Sequence, residues 1–171
     1  MVNMKKTLIV VDMQNDFIDM ALGTREAVAI VPAVKEKIRA YREMGAEIIY
    51  TRDTHDVGYL DTPEGRMLPV EHCLKGTRGW EIADGLYTEG AKIIDKPSFG
   101  WTGWGEETLE EVEIIGLCTD ICVVSNALII KALFPNASVT VDASCCAGVT
   151  PETHSAALTT MKMCQINVIG T

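Results

Sequence analysis

Residues 113–134 read EIIGLCTDICVVSNALIIKALF. The opening run, Glu113–Leu117, is short, apolar and rich in isoleucine, as a buried strand would be. From Asp120 to Phe134 the apolar residues fall on most faces of a helix, which predicts a buried one. Strand passes to helix at CTDIC, so Cys118 and Cys122 stand four residues apart at the junction. A disulfide, a metal pair, plain core filling and a catalytic nucleophile each suit thiols placed there.

The same alternation runs along the chain. Lys6–Asp12, Ala46–Thr51, Ala91–Asp95, Ala137–Ala143 and Gln165–Gly170 read as further strands. Between the first two, Ala27, Ile30, Val31, Val34, Ile38 and Tyr41 recur at helical spacing. Pro32 suits the start of that helix and Gly45 its C-cap. Gly105–Val112 (GEETLEEV) is expected to be a short helix, and Thr150–Pro151 the N-cap and first residue of the last one. Alternation of this kind argues for an α/β fold of three layers (αβα). Its six-stranded, mostly parallel sheet would be Rossmann-like, with helices on both faces. At 171 residues and with no linker, one domain spanning residues 1–171 is expected.

Composition narrows the function classes. A formal net charge of −9 argues against a nucleic-acid partner, whose phosphates need Lys and Arg. No apolar run is long enough to span a membrane. The run after Lys5 and Lys6 ends at Asp12, too short for a signal peptide, so a cytoplasmic protein is expected. In a reducing compartment the six cysteines are expected as free thiols.

In open α/β sheets ligands bind beyond the carboxyl ends of the strands. Those ends carry Asp12, then Asp53 and His55, then Asp95 and Lys96, then Cys118 and Cys122. Singly, each has an ordinary explanation: an aspartate caps, a lysine is solvated, a thiol packs. Together on one rim they point to catalysis. Cys122, in the first turn of the buried helix, is the better nucleophile candidate. Helix-start amides and the macrodipole favour a thiolate there, lowering a thiol from about 8.5, and the same amides can receive an oxyanion. A packed core thiol remains the alternative. Cys118 reads as a small core residue. The one long irregular stretch, Arg52–Gly79, is of a length that is usually functional or disordered.

LIVVDMQNDF, DKPSFG and GLCTDICV, in that order, resemble the signature segments of the isochorismatase-like cysteine hydrolases. The likeness runs from Leu8 to the last strand. It implies a catalytic triad of Asp12, Lys96 and Cys122, with the backbone amides of Cys118 and Cys122 as oxyanion hole and a cis Leu117–Cys118 peptide. Asp12 would take the Cys122 proton while Lys96 offsets the negative charge. Within the family, TRDTH, EHC and KGTRGW resemble the nicotinamidase branch. That implies one divalent transition metal, zinc first, with iron or manganese as alternatives, on Asp53, His55 and His72 with Glu64 as the added ligand. The implied reaction converts a small-molecule amide, nicotinamide, to nicotinate and ammonia through a thioester, as in NAD salvage. Another amidase, acting on a carbamoyl or ureido compound, is the alternative, and a non-enzymatic binding protein the third reading. Phe17 matches one aromatic wall of the substrate site. Leu68–Pro69 stands where the branch often has tryptophan, so Trp101 is the candidate for the missing wall, although Trp101 and Trp104 suit a subunit contact equally. The family also implies a homo-oligomer. His154 fits no motif and reads as a surface residue near a helix start.

Overall fold

The computed structural model describes residues 4–171. Its centre is a six-stranded sheet of β1 (Lys6–Val11), β2 (Glu47–Asp53), β3 (Lys92–Lys96), β4 (Glu111–Leu117), β5 (Ser138–Ala147) and β6 (Asn167–Ile169). The order is β3-β2-β1-β4-β5-β6 and every pairing is parallel. The helices are α1 (Asn15–Ile18), α2 (Arg25–Glu43), α3 (Pro63–Met67), α4 (Val124–Leu133) and α5 (Pro151–Met163).

The apolar run of β1 is continuous because both its faces are covered. Leu8 and Val10 pack into a cluster with Val34, Ile38 and Tyr41 of α2. Ile9 and Val11 point the other way, into a cluster with Ala127 and Ile130 of α4 and Leu158 and Met161 of α5. Period-two alternation thus feeds two cores rather than one core and solvent.

The sequence order of strands reverses between β1 and β4, and such a switch point is where an open α/β sheet leaves a crevice. Val11 of β1 pairs with Thr51 on one side and Gly116 on the other, so the strand ends align there. Gly116 has φ +119, and a Cβ on it would lie 2.1 Å from the Val11 carbonyl oxygen. Only glycine fits where β4 passes the end of β1.

Several expectations are corrected. No α-helix covers Gly105–Val112: a 3₁₀ turn spans Thr102–Glu106 and β4 already begins at Glu111. The residues suit a helix, but Glu111 and Val112 pair with Lys6 and Thr7, and the sheet overrides local propensity. Helix α2 starts at Arg25, not near Pro32, because Thr24 caps it by accepting the Ala27 N–H at 3.0 Å. Pro32 lies inside that helix. Helix α4 buries one face, through Asn126, Ala127 and Ile130, while Leu133 is exposed. It is preceded by a π turn, Thr119–Val123, that carries Cys122 and has Cys118 as its N-cap. The expected cap at Thr150 is present, with Thr153 completing a capping box. Among the described residues no helix is long and apolar enough to cross a membrane.

Candidate active site

Asp12 follows β1 with φ +47, a left-handed conformation that aspartate tolerates better than most residues. Its carboxylate is fully buried and doubly held. Thr51 Oγ1 donates to Oδ1 at 2.6 Å, and Lys96 Nζ donates to Oδ2 at 2.6 Å. Lys96, the last residue of β3, is likewise fully buried. Its ammonium reaches the Ser98 carbonyl at 3.2 Å and Cys122 Sγ at 3.4 Å. The structure therefore brings Asp12, Lys96 and Cys122 together from three different strand ends. The peptide between Leu117 and Cys118 is cis, as the resemblance implied.

Burial drives the Cys122 thiol well above its usual range, Asp12 adds to the rise, and Lys96 only partly offsets it. A resting thiolate at a helix start is thus the wrong expectation. Cys122 is 4% exposed and faces a carboxylate, so its proton stays on unless a base takes it. Burial also pushes Asp12 up, with Lys96 pulling the other way. Burial works against the charge of Lys96, but Asp12, Cys122 and Asp53 outweigh it and raise the ammonium above its usual range. The result is a fixed cation between two groups that can share one proton.

Beside the triad lies a second cluster. One ligand atom each of Asp53, His55, Glu64 and His72 falls within 4.8 Å of the others. His55 Nε2 is 2.9 Å from Asp53 Oδ2, His72 Nε2 is 3.6 Å from the same oxygen, and Glu64 Oε1 is 3.7 Å from His55 Nε2. His72 Nδ1 lies 2.8 Å from the Val70 carbonyl, so its proton goes there and a lone pair faces the cluster at Nε2. Asp53 Oδ1 is buried with no hydrogen-bond partner. Burial and Asp53 push Glu64 above the usual carboxylate range. An orphaned buried oxygen, a carboxylate short of positive charge and two imidazoles form a donor set that fits a divalent transition metal.

This loop is pinned by residues that sequence reasoning passed over. Gln14 takes the Asp53 N–H on its side-chain oxygen at 2.8 Å and donates its amide to the carbonyls of Asp53 and Trp80 at 2.9 and 2.8 Å. Asn15 donates to the Arg78 carbonyl at 2.8 Å, and Asp16 accepts the Cys73 N–H at 2.8 Å. The signal was three consecutive amide or carboxylate side chains, Gln14-Asn15-Asp16, directly after a buried strand. Each satisfies backbone groups at the end of β2 or in the loop that follows it.

Both clusters border one cavity of about 170 Å³, whose wall includes Cys118, Cys122, Asp53, Glu64, His72 and Phe17. Leu68 and Phe99 complete it on the loop side. Trp101 does not line it. The Trp101 N–H and the Trp104 indole both donate to Asn126 Oδ1, at 2.9 and 2.8 Å, which holds that segment against α4 instead. Phe99, two residues earlier, lines the cavity instead. His154 also departs from expectation: it is half-buried, with Nδ1 2.7 Å from Thr119 Oγ1.

Comparison with known proteins agrees with this architecture. Residues 6–171 match the isochorismatase domain model. A pyrazinamidase of Pyrococcus horikoshii, solved in complex with zinc, superposes with a TM-score of 0.85 at 32% identity, over 98% of this chain and 100% of that one. An N-carbamoylsarcosine amidase from Thermoplasma acidophilum gives 0.80 at 29% identity, over 97% and 96%. An Arabidopsis thaliana protein described as a probable inactive nicotinamidase is 30% identical over 91% of this chain and 87% of its own. A domain match that begins at β1 and runs to the last residue leaves no segment of the described fold outside it: the chain is a hydrolase of the isochorismatase family.

Proposed function

We propose that this single domain is a metal-dependent amidase that converts nicotinamide to nicotinate and ammonia. One observation carries the reading: a single small cavity is bordered on one side by the Cys122 thiol and on the other by the Asp53–His72–Glu64 cluster. That layout suits a flat ring with a carboxamide at one end and a metal-seeking nitrogen at the other.

Asp12 removes the Cys122 proton as Sγ attacks the carboxamide carbon. A thiol raised by burial and by Asp12 favours transfer of its proton as the bond to carbon forms. Backbone amides at Cys118 and Cys122 receive the oxyanion. Asp12 then returns the proton to the departing amine, which leaves as ammonia, and the acyl group remains on sulfur. Asp12 next takes a proton from water, the hydroxide adds to the acyl carbon and expels the Cys122 thiolate, which frees the acid, and the proton on Asp12 goes back to the sulfur. Lys96 stays charged throughout and holds Asp12 and the sulfur at fixed separation. Asp53, His55, His72 and Glu64 would hold the metal, which when bound supplies a Lewis acid for the ring nitrogen.

About one divalent transition metal per chain is expected in protein purified without chelator. Elemental analysis of His55→Ala and His72→Ala should show most of it gone. Full metal in both variants would refute the site. Glu64→Gln should weaken binding less, since water can replace one ligand.

The likeness to an N-carbamoylsarcosine amidase favours a second reading, a carbamoyl substrate, and Leu68 in place of an aromatic wall leaves it room. Against it, no Arg or Lys is among the residues lining the cavity, so it holds no permanent cation for the carboxylate of an N-carbamoyl amino acid. Ammonia release from nicotinamide, pyrazinamide, benzamide and an N-carbamoyl amino acid decides between them. Benzamide lacks only the ring nitrogen. An aromatic contact is worth about 0.5–1.5 kcal/mol and is common to both rings, so nicotinamide should exceed benzamide by well over tenfold. Equal rates, or preference for the carbamoyl compound, would sink the nicotinamidase reading.

A further inference from the structure

His154 has no part in the reaction above, yet it contacts the turn on which that reaction depends. It sits in the first turn of α5, and its Nδ1 lies 2.7 Å from Thr119 Oγ1. Thr119 is fully buried and opens the π turn between Cys118 and Cys122. His154 is the partner of that hydroxyl among the described residues. A second tie runs alongside: the Asp120 carboxylate accepts the Val149 N–H at 3.2 Å. Gly148 lies flat on His154, and a Cβ there would come within 2.8 Å of His154 Cβ. Gly148 and Val149 also form part of the cavity wall. The π turn, that wall and the start of α5 are therefore clamped together. Burial lowers the imidazole pKa, with Asp120 opposing, which favours the neutral ring, whose unprotonated Nδ1 can accept from the threonine hydroxyl.

We propose that His154 is a positioning residue: by holding Thr119 it fixes the turn whose amides, at Cys118 and Cys122, receive the oxyanion. The inference rests on the amidase reading. Its effect belongs to the transition state, because the ground-state carbonyl needs those amides less than the oxyanion does. Loosening the turn should therefore lower kcat and leave KM nearly alone.

The test uses the full chain loaded with zinc, with nicotinamide as substrate. His154→Leu and Thr119→Val break the same bond from opposite ends. Each should lower kcat by about tenfold, less than the 10²–10³ of deleting an oxyanion donor outright, with KM within about twofold. The double variant should be no worse than either single one, since one bond cannot be lost twice. His154→Asn, which keeps a polar atom near the Nδ1 position, should recover most of kcat. Unchanged kcat in the single variants, losses that multiply in the double variant, or an Asn variant as poor as Leu would each overturn the proposal. If His154→Leu does not fold, Thr119→Val and His154→Asn still give the comparison. A wild-type protein that releases no ammonia from any amide overturns the amidase reading itself, and this inference falls with it.

Discussion

Cys122→Ala should lower amide hydrolysis by about 10⁴-fold or more, the scale on which removing a nucleophile acts in hydrolases with covalent intermediates. The thiol is the nucleophile-type side chain in contact with the buried Lys96–Asp12 pair. Cys118→Ala, Cys145→Ala and Cys146→Ala should retain most activity. Cys118 shares the cavity but would contribute its amide, which alanine keeps, and Cys145 and Cys146 are core residues of β5. Mass spectrometry of enzyme quenched during turnover should find the acyl group on the peptide containing Cys122. An adduct on another cysteine, or a fully active Cys122→Ala, ends the assignment. The same measurement addresses the probable inactive relative, since this chain has the thiol, the carboxylate and the ammonium in contact.

Lys96→Met should be costly in a different way. It removes the one ammonium that meets Asp12 at 2.6 Å and lies 3.9 Å from Asp53. Breaking a buried ion pair from one side costs about 3–5 kcal/mol, because the remaining charge is stranded. For a domain of this size that is a fall in Tm of roughly 6–20 °C. Catalysis should be lost as well, since Asp12 would then hold a proton instead of taking one. Adding Asp12→Asn to Lys96→Met should restore much of the stability and none of the activity. A Lys96→Met protein as stable as the wild type would mean the buried charges are balanced some other way.

The sheet was legible because its chemistry is repetitive. Leu8–Val11, Ile48–Tyr50 and Ile114–Ile115 are unbroken apolar runs, and burial on both faces is the common reason for such runs. The rim was legible because strand ends come to one edge whatever the details of the loops. The end of Gly105–Val112 was misread because glutamates favour helices, while pairing with β1 decides the state of Glu111 and Val112. Trp101 was misplaced because its position depends on Asn126, a buried polar residue of α4 whose partners Trp101, Trp104 and Phe99 lie elsewhere in the chain. The thiolate expectation failed for a related reason. A helix start lowers a thiol, but burial and then Asp12 raise it, and both come from strands and packing that no local reading of CTDIC contains.

Asp12 and Lys96 are 84 residues apart along the chain, and Lys96 and Cys122 are 26 apart. None of these contacts is local. Each carries the entropy of closing a long loop, and contacts of that kind form slowly. Because β3 reaches β1 only through β2, base and cation cannot meet before β1, β2 and β3 have found their register. Docking of β4 on the far side of β1 then brings the thiol. A chain still emerging from synthesis carries Asp12 well before Lys96 and Lys96 only 26 residues before Cys122, and its new cysteine has no base beside it until β4 docks. The proposed hydrolysis would thus belong to the assembled strands β1–β4 and to none of them alone, because the three side chains meet only when those strands are in register.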